Sequence, residues 1–242
     1  MRSERQAVIL AGGLATRMRP RTLTVPKVLL EVAGRPFVEW QLEMLAKCNY
    51  QRATMCVAFL GEQVREHVGD GARFGIRVDY ADEGKELLGT GGALRNALPL
   101  LDETFLVTYG DSYLPFDYAA PLDELRSHDD CDGVMSVFKN DKKWDASNVE
   151  LDARGEFVAR YEKGGPNSDT DAALDHIDYG AIALRRSVVE SIPQGRASGL
   201  DAVQTSLARA HRLRAHVARE RFYEIGSPDG LATLEHRLKE LR

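Results

Sequence analysis

The stretch Val8-Ile-Leu-Ala-Gly-Gly-Leu-Ala-Thr-Arg-Met-Arg-Pro-Arg-Thr-Leu-Thr-Val-Pro-Lys27 decides how this chain is read. Ala7–Leu10 is a short apolar run stopped by glycine, the pattern of a strand buried on both faces. Gly12 and Gly13 lack β-carbons, so the backbone can wrap a ligand closely and aim N–H groups at an anion. Arg17, Arg19 and Arg21 add forked donors and Lys27 a point charge. A loop that only joined two elements would not need this charge beside two glycines. The segment is neither a GxxxxGK[ST] phosphate loop nor a GxGxxG dinucleotide turn. The alternative is a plain strand-to-helix turn with solvated arginines.

Outward from this loop, helical and strand patterns alternate. Phe37–Cys48 carries apolar residues near helical period, Ala53–Phe59 reads as a strand and Gly61–Val68 as a short helix. Ile76–Tyr80 is a third strand, Gly91–Leu101 a helix, and Thr104–Tyr109 a fourth buried strand ending at Gly110-Asp111. This order implies βαβ units and an α/β fold: a Rossmann-like mixed, mainly parallel sheet flanked by helices. In the second half, Val134–Phe138, Asn148–Leu151, Phe157–Tyr161 and Ile177–Leu184 are strand candidates. Leu200–Ala210 and Pro228–Leu241 read as helices, and Gly164–Asp175 is rich in loop formers. No repeat or linker interrupts the chain, so a single domain over 1–242 is expected.

Composition narrows the classes. The 242 residues are 43% hydrophobic and 29% charged, ordinary for a globular protein with a core. Thirty-two basic against 37 acidic side chains give a net charge of −5, which argues against a general nucleic-acid or anionic-membrane surface. Apolar runs are too short to span a bilayer, and the N-terminus lacks a signal-peptide pattern, so a cytoplasmic location is expected. Cys48, Cys56 and Cys131 have neither disulfide nor zinc spacing and read as reduced, in or near the core. Asp111 follows a buried strand and so stands at the C-terminal edge of a parallel sheet, where α/β ligands bind. A turn or capping role is its alternative.

The pattern L-A-G-G-L-A-T-R-M-R-P-R-T-x-x-x-P-K, Leu10 to Lys27, closely resembles the signature of sugar-1-phosphate nucleotidylyltransferases, or NDP-sugar pyrophosphorylases. The overall sequence looks most like the short bacterial guanylyltransferases acting on mannose or heptose 1-phosphate. The resemblance implies the nucleotide-diphospho-sugar transferase type of fold. It also implies a nucleotide-binding half over 1–115 and a sugar-phosphate-binding half over 116–242. It implies that Leu10, Gly12 and Gly13 wrap the nucleotide, Arg17 contacts its phosphates and Lys27 neutralises charge near the reacting phosphorus. Ala15 stands where many members carry glycine, which is tolerable if that residue has negative φ.

Further matches follow in order. Glu86-Leu-Leu-Gly-Thr-Gly-Gly-Ala93 resembles the second nucleotide segment, with Gly89, Thr90 and Gly91 against the base. Asp111 matches the aspartate that holds Mg²⁺, a hard cation suited to oxygen ligands. Phe222-Tyr-Glu-Ile-Gly-Ser-Pro-Asp229 resembles W-x-D-x-G-T/S-P, which makes Glu224 the second metal ligand in place of aspartate. Arg160-Tyr-Glu-Lys-Gly164 resembles F-x-E-K-P, which assigns Lys163 to the sugar phosphate. Asp178-Tyr-Gly-Ala-Ile182 resembles N-x-G-I-Y, which sets Asp178 and Gly180 at the sugar hydroxyls.

The nucleobase is read from Asp82-Glu83, ahead of the glycine segment. Guanine offers two adjacent donors that one carboxylate accepts together; uracil and thymine present one N–H between two carbonyls. If Glu83 reaches the base, guanine is preferred; a solvated Glu83 is the alternative. The expected activity is transfer of a nucleotidyl group from GTP to a sugar 1-phosphate in nucleotide-sugar synthesis. The alternatives are a uridylyl- or thymidylyltransferase, or a non-catalytic regulatory subunit of the same fold. The sugar and the oligomeric state stay open, homodimers being common among such proteins.

Overall fold

The computed structural model describes residues 4–84, 87–140, 143–164 and 173–240. Glu86, most of the 164–175 loop and Leu241 therefore lie outside the described residues. In chain order the strands and helices are β1 (Gln6–Leu10), β2 (Glu31–Val32), β3 (Arg35–Pro36), α1 (Phe37–Lys47), β4 (Arg52–Val57), α2 (Gly61–Val68), β5 (Arg77–Asp82), α3 (Gly89–Asn96), β6 (Thr104–Tyr109) and β7 (Ser112–Tyr113). They continue as α4 (Ala119–Ser127), β8 (Gly133–Lys139), β9 (Val149–Leu151), β10 (Val158–Tyr161), β11 (His176–Arg185), α5 (Arg186–Glu190), α6 (Leu200–Arg209), β12 (Leu213–Ala218), β13 (Tyr223–Glu224) and α7 (Pro228–Glu240).

Among the described residues, nine strands form one sheet, with the path β10-β9-β11-β6-β1-β4-β5 and β8 between β11 and β12. β1 pairs in parallel with β4 and β6, and β4 with β5; β11 runs antiparallel to β6 and β8. The sheet is the expected mixed, mainly parallel one. Alternate residues of each strand feed two cores. Ala7, Ile9 and Leu106 pack with α1, α2 and α4; Val8, Phe105 and Val107 pack with α3, α5 and α6. Val8 and Ile9 are fully buried, and each such side chain contributes roughly 1.5–3 kcal/mol by leaving water. A third cluster joins the 3₁₀ turns after β1 to α7 through Met18, Leu30, Ile225 and Leu234.

Three elements differ from the sequence reading. The helix expected over Gly91–Leu101 starts at Gly89 and stops at Asn96; a 3₁₀ turn follows around Pro99, which cannot donate to an α-helical ladder. α4 is absent from the sequence reading: its N-cap residue Tyr118 makes no side-chain hydrogen bond, and the start is marked instead one residue earlier, where Asp117 Oδ1 accepts from Ala119 N (2.9 Å). β12 carries Arg214, ion-paired with Glu124 of α4, and His216, whose Nδ1 lies 3.3 Å from Glu124 Oε2; these polar residues mask a strand. Among the described residues no helix is long and apolar enough to cross a membrane.

Candidate active site

The chain leaving β1 is held for one more residue between its neighbours. Ala11 N–H donates to Cys56 O (2.9 Å), and Gly110 N–H donates to Leu10 O (2.9 Å). It then turns at Gly12 over a cavity of about 250 Å³ at the C-terminal end of the sheet. Leu10, Gly12, Gly13, Lys27, Glu83, Gly89, Thr90 and Asp111 all line this cavity.

Ala15 does not have the expected negative φ. It sits in the left-handed region at φ 47° and ψ 46°, where its methyl crowds the following carbonyl. Two hydrogen bonds to its carbonyl hold it there, from Met18 N (3.0 Å) and Thr22 Oγ1 (2.8 Å).

Glu83 follows β5 and reaches back across the cavity mouth. Its Oε2 accepts from Leu88 N (3.1 Å), and its Oε1 rests against Gly12, where a β-carbon would overlap it. Burial raises the Glu83 pKa; the Leu88 N–H opposes this, and neighbouring Asp82 adds to it.

The second glycine segment divides its work. Gly89 and Thr90 face the cavity, but Gly91 N–H donates to Ser198 O (2.9 Å). Gly92 N–H donates to the same carbonyl (3.3 Å), Ser198 N–H to Leu88 O (2.8 Å) and Leu200 N–H to Thr90 Oγ1 (2.8 Å). A β-carbon on Gly91 would stand 2.9 Å from Gly199 O, and one on Gly92 the same distance from Arg196 O. Gly91 thus serves a clasp to the segment before α6, not the cavity wall. No local pattern announces this contact.

The acids meet through a two-stranded sheet. β13 pairs with β7, Glu224 opposite Ser112, and Ile225 N–H donates to Asp111 O (2.9 Å). Asp111 and Glu224 consequently line one cavity of about 330 Å³, next to the first and sharing Tyr109 and Asp111 with it. Lys27 Nζ lies 2.7 Å from Asp111 Oδ2. The Arg17 guanidinium lies against Gly226, where a β-carbon would stand 3.2 Å from Nη2 and 3.6 Å from Asp111 Oδ2. Burial raises the Glu224 pKa, the Asp111 charge adds to this and Arg17 opposes it. Among the described residues no group of three or more His, Cys, Asp or Glu is arranged as a metal cage. Two like-charged carboxylates at one cavity nonetheless fit a hard divalent cation that completes its shell with water and substrate oxygens.

Asp178 and Gly180 also line the second cavity. Asp178 Oδ1 accepts from Gly180 N (2.9 Å) and Oδ2 from Gln204 Nε2 (2.8 Å). Burial raises the Asp178 pKa and these two donors oppose it. Gly180 has φ 94°, a conformation that excludes most side chains. Lys163 is instead engaged with Asp201 of α6, 3.0 Å away, and its side chain is 70% exposed.

The nucleotidyl transferase family profile matches residues 6–240. The chain belongs to the nucleotidyl transferase family. N-acetylmuramate alpha-1-phosphate uridylyltransferase of Neisseria meningitidis is 40% identical over 210 residues, covering 80% of this chain and 88% of that protein. Mannose-1-phosphate guanylyltransferase of Mycobacterium tuberculosis is 32% identical over 191 residues, 78% of this chain but 51% of that protein's length. HddC from Yersinia pseudotuberculosis complexed with GMP-PN has a TM-score of 0.75 at 24% identity, over 97% of this chain and 99% of that one. This structural likeness establishes the fold. In this nucleotidyl transferase the sequence reading missed Tyr109, Asp145 and Asn148, all at the second cavity. Asn148 Oδ1 accepts from Asp178 N (2.8 Å) and so anchors the strand beneath that cavity.

Proposed function

We propose that this protein transfers a nucleotidyl group from GTP to a sugar 1-phosphate of the mannose or heptose type, releasing pyrophosphate. The observation that carries the reading is the meeting of Asp111 and Glu224 beside the glycine loop, with Lys27 and Arg17 at the same point. The nucleotide lies in the first cavity and the sugar in the second, and the shared wall at Tyr109 and Asp111 is where their phosphates meet.

The sugar phosphate oxygen attacks the α-phosphorus in line as pyrophosphate leaves. The nucleophile is already ionised, so no general base is needed; positioning and charge stabilisation do the work. The Gly12 and Gly13 amides and Arg17 hold the leaving pyrophosphate. Lys27 turns from Asp111 toward the crowded phosphates, and Lys163 leaves Asp201 to orient the incoming phosphate. A magnesium ion held by Asp111 and Glu224 supplies Lewis-acid polarisation of the phosphate when bound.

Guanine is favoured by the Glu83 carboxylate at the cavity mouth, an acceptor for two adjacent donors. The second reading is uridylyl transfer, supported by the 40% identity to the Neisseria protein. Pyrophosphate release from each of the four NTPs, with magnesium and mannose or heptose 1-phosphate, tests both. GTP should give the highest kcat/KM. UTP outcompeting GTP would end the Glu83 argument, and GDP-sugar binding without turnover would make the protein a regulatory subunit.

A further inference from the structure

The second cavity has one-sided chemistry. Four carboxylates line it, from Asp111, Asp145, Asp178 and Glu224, and among its described lining residues there is no lysine or arginine. The basic groups Lys27 and Arg17 cluster at its Asp111 end, where the phosphate belongs. Asp145 and Asp178 are the two acids of this lining that neither the metal nor the phosphates take up.

Asp178 is fixed through both carboxylate oxygens, whereas Asp145 is exposed, with its loop held through the backbone and its Oδ1 accepting from Ala146 N (2.7 Å). Asn140 is fully buried, and its amide donates to Asp145 O (2.5 Å) and Ser147 Oγ (3.1 Å), which holds the 143–147 loop against the cavity. Asp178 takes one N–H on each oxygen, from Gly180 and Gln204, so both oxygens act as acceptors. Gln204 itself is 1% exposed. A sugar carboxylate entering here would meet like charge, with no lysine or arginine among the described lining residues to offset it. Sugar hydroxyls each bring a donor that these oxygens can take.

We infer that Asp145 and Asp178 make this a chamber for neutral, polyhydroxylated sugar 1-phosphates and bar sugars carrying a carboxylate. The inference rests on the nucleotidyl-transfer reading and sharpens its acceptor. It separates the chain from its Neisseria relative, whose named substrate, N-acetylmuramate 1-phosphate, carries a carboxylate.

The test is a panel of six acceptors with magnesium and either GTP or UTP, read by NDP-sugar formation. Mannose, heptose and N-acetylglucosamine 1-phosphates form the neutral set; mannuronate, glucuronate and N-acetylmuramate 1-phosphates form the acidic set. The expected result is a preference of roughly a hundredfold or more in kcat/KM for the best neutral acceptor, because like charges brought together cost several kcal/mol. In Asp145→Asn and Asp178→Asn, both isosteric, the preference should shrink by about tenfold each, since the amide removes charge and adds a donor. Transfer to an acidic acceptor as fast as to a neutral one overturns the inference and leaves nucleotidyl transfer standing. An unchanged preference in both variants overturns the assignment to these two acids. No transfer to any acceptor from either NTP overturns the nucleotidyl-transfer reading itself, and the inference with it.

Discussion

Lys27 Nζ stands 2.7 Å from Asp111 Oδ2, so the cation proposed for the phosphates rests on an acid proposed for the metal. The pair offsets part of the repulsion between the two acids. It also sets the lysine against a divalent ion for one carboxylate.

Replacement of Lys27 by methionine removes that competitor. Magnesium should then raise the melting temperature more in Lys27→Met than in the parent protein. The transfer rate should fall by about 10²–10³, the usual loss of a charge-stabilising group. A magnesium-induced shift no larger than the parent's would show that the lysine does not compete.

Gly12 and Glu83 are sterically coupled. Gly12→Ala should raise KM for the nucleotide by about tenfold or more, because the new methyl displaces the Glu83 carboxylate from the cavity mouth. The double variant Gly12→Ala/Glu83→Ala should bind nucleotide no worse than Glu83→Ala alone. Additive losses in the four-way comparison would mean that the two positions act independently.

Glu83 also makes stability depend on pH. Its pKa is higher folded than unfolded, because of burial. Its contribution is therefore fully present below the unfolded value and is lost as pH rises through the folded one. Glu83→Gln, which can still accept from Leu88 N, should lack this loss and gain in melting temperature relative to the parent between acidic and neutral pH. A constant difference across that range would contradict the assignment.

Ala15→Gly should stabilise the protein by about 1 kcal/mol, the strain of a left-handed non-glycine residue less the extra freedom glycine has when unfolded. Chemical denaturation measures it directly.

Gly91→Ala and Gly92→Ala should each cost about 1–3 kcal/mol, since the added methyl meets backbone carbonyls of the 196–199 segment. Gly13→Ala is the control. A β-carbon there meets nothing within 4 Å, and its effect on stability should be small.

What the sequence made legible followed from local pattern. β1 and β6 are largely buried and read as mostly apolar runs; the glycine loop and Asp111 stand out because each follows such a run. What it hid depends on partners far along the chain. Ser198 carries no signal that ties it to Gly91, nor Gln204 any that ties it to Asp178. Lys163 matched a motif, yet the structure gives it to Asp201, a neighbour no spacing rule supplies. The positive φ of Ala15 was hidden too, because it is set by the turn around that residue and not by residue preference.

β6 has β1 on one side and β11, nearly seventy positions later, on the other. A fragment ending at residue 115 would leave the β6 edge bare, its N–H and C=O groups free to recruit other chains. The glycine loop therefore cannot be borrowed as a portable triphosphate module. Only cuts in loops, with both pieces present to reassociate, should give back an active particle.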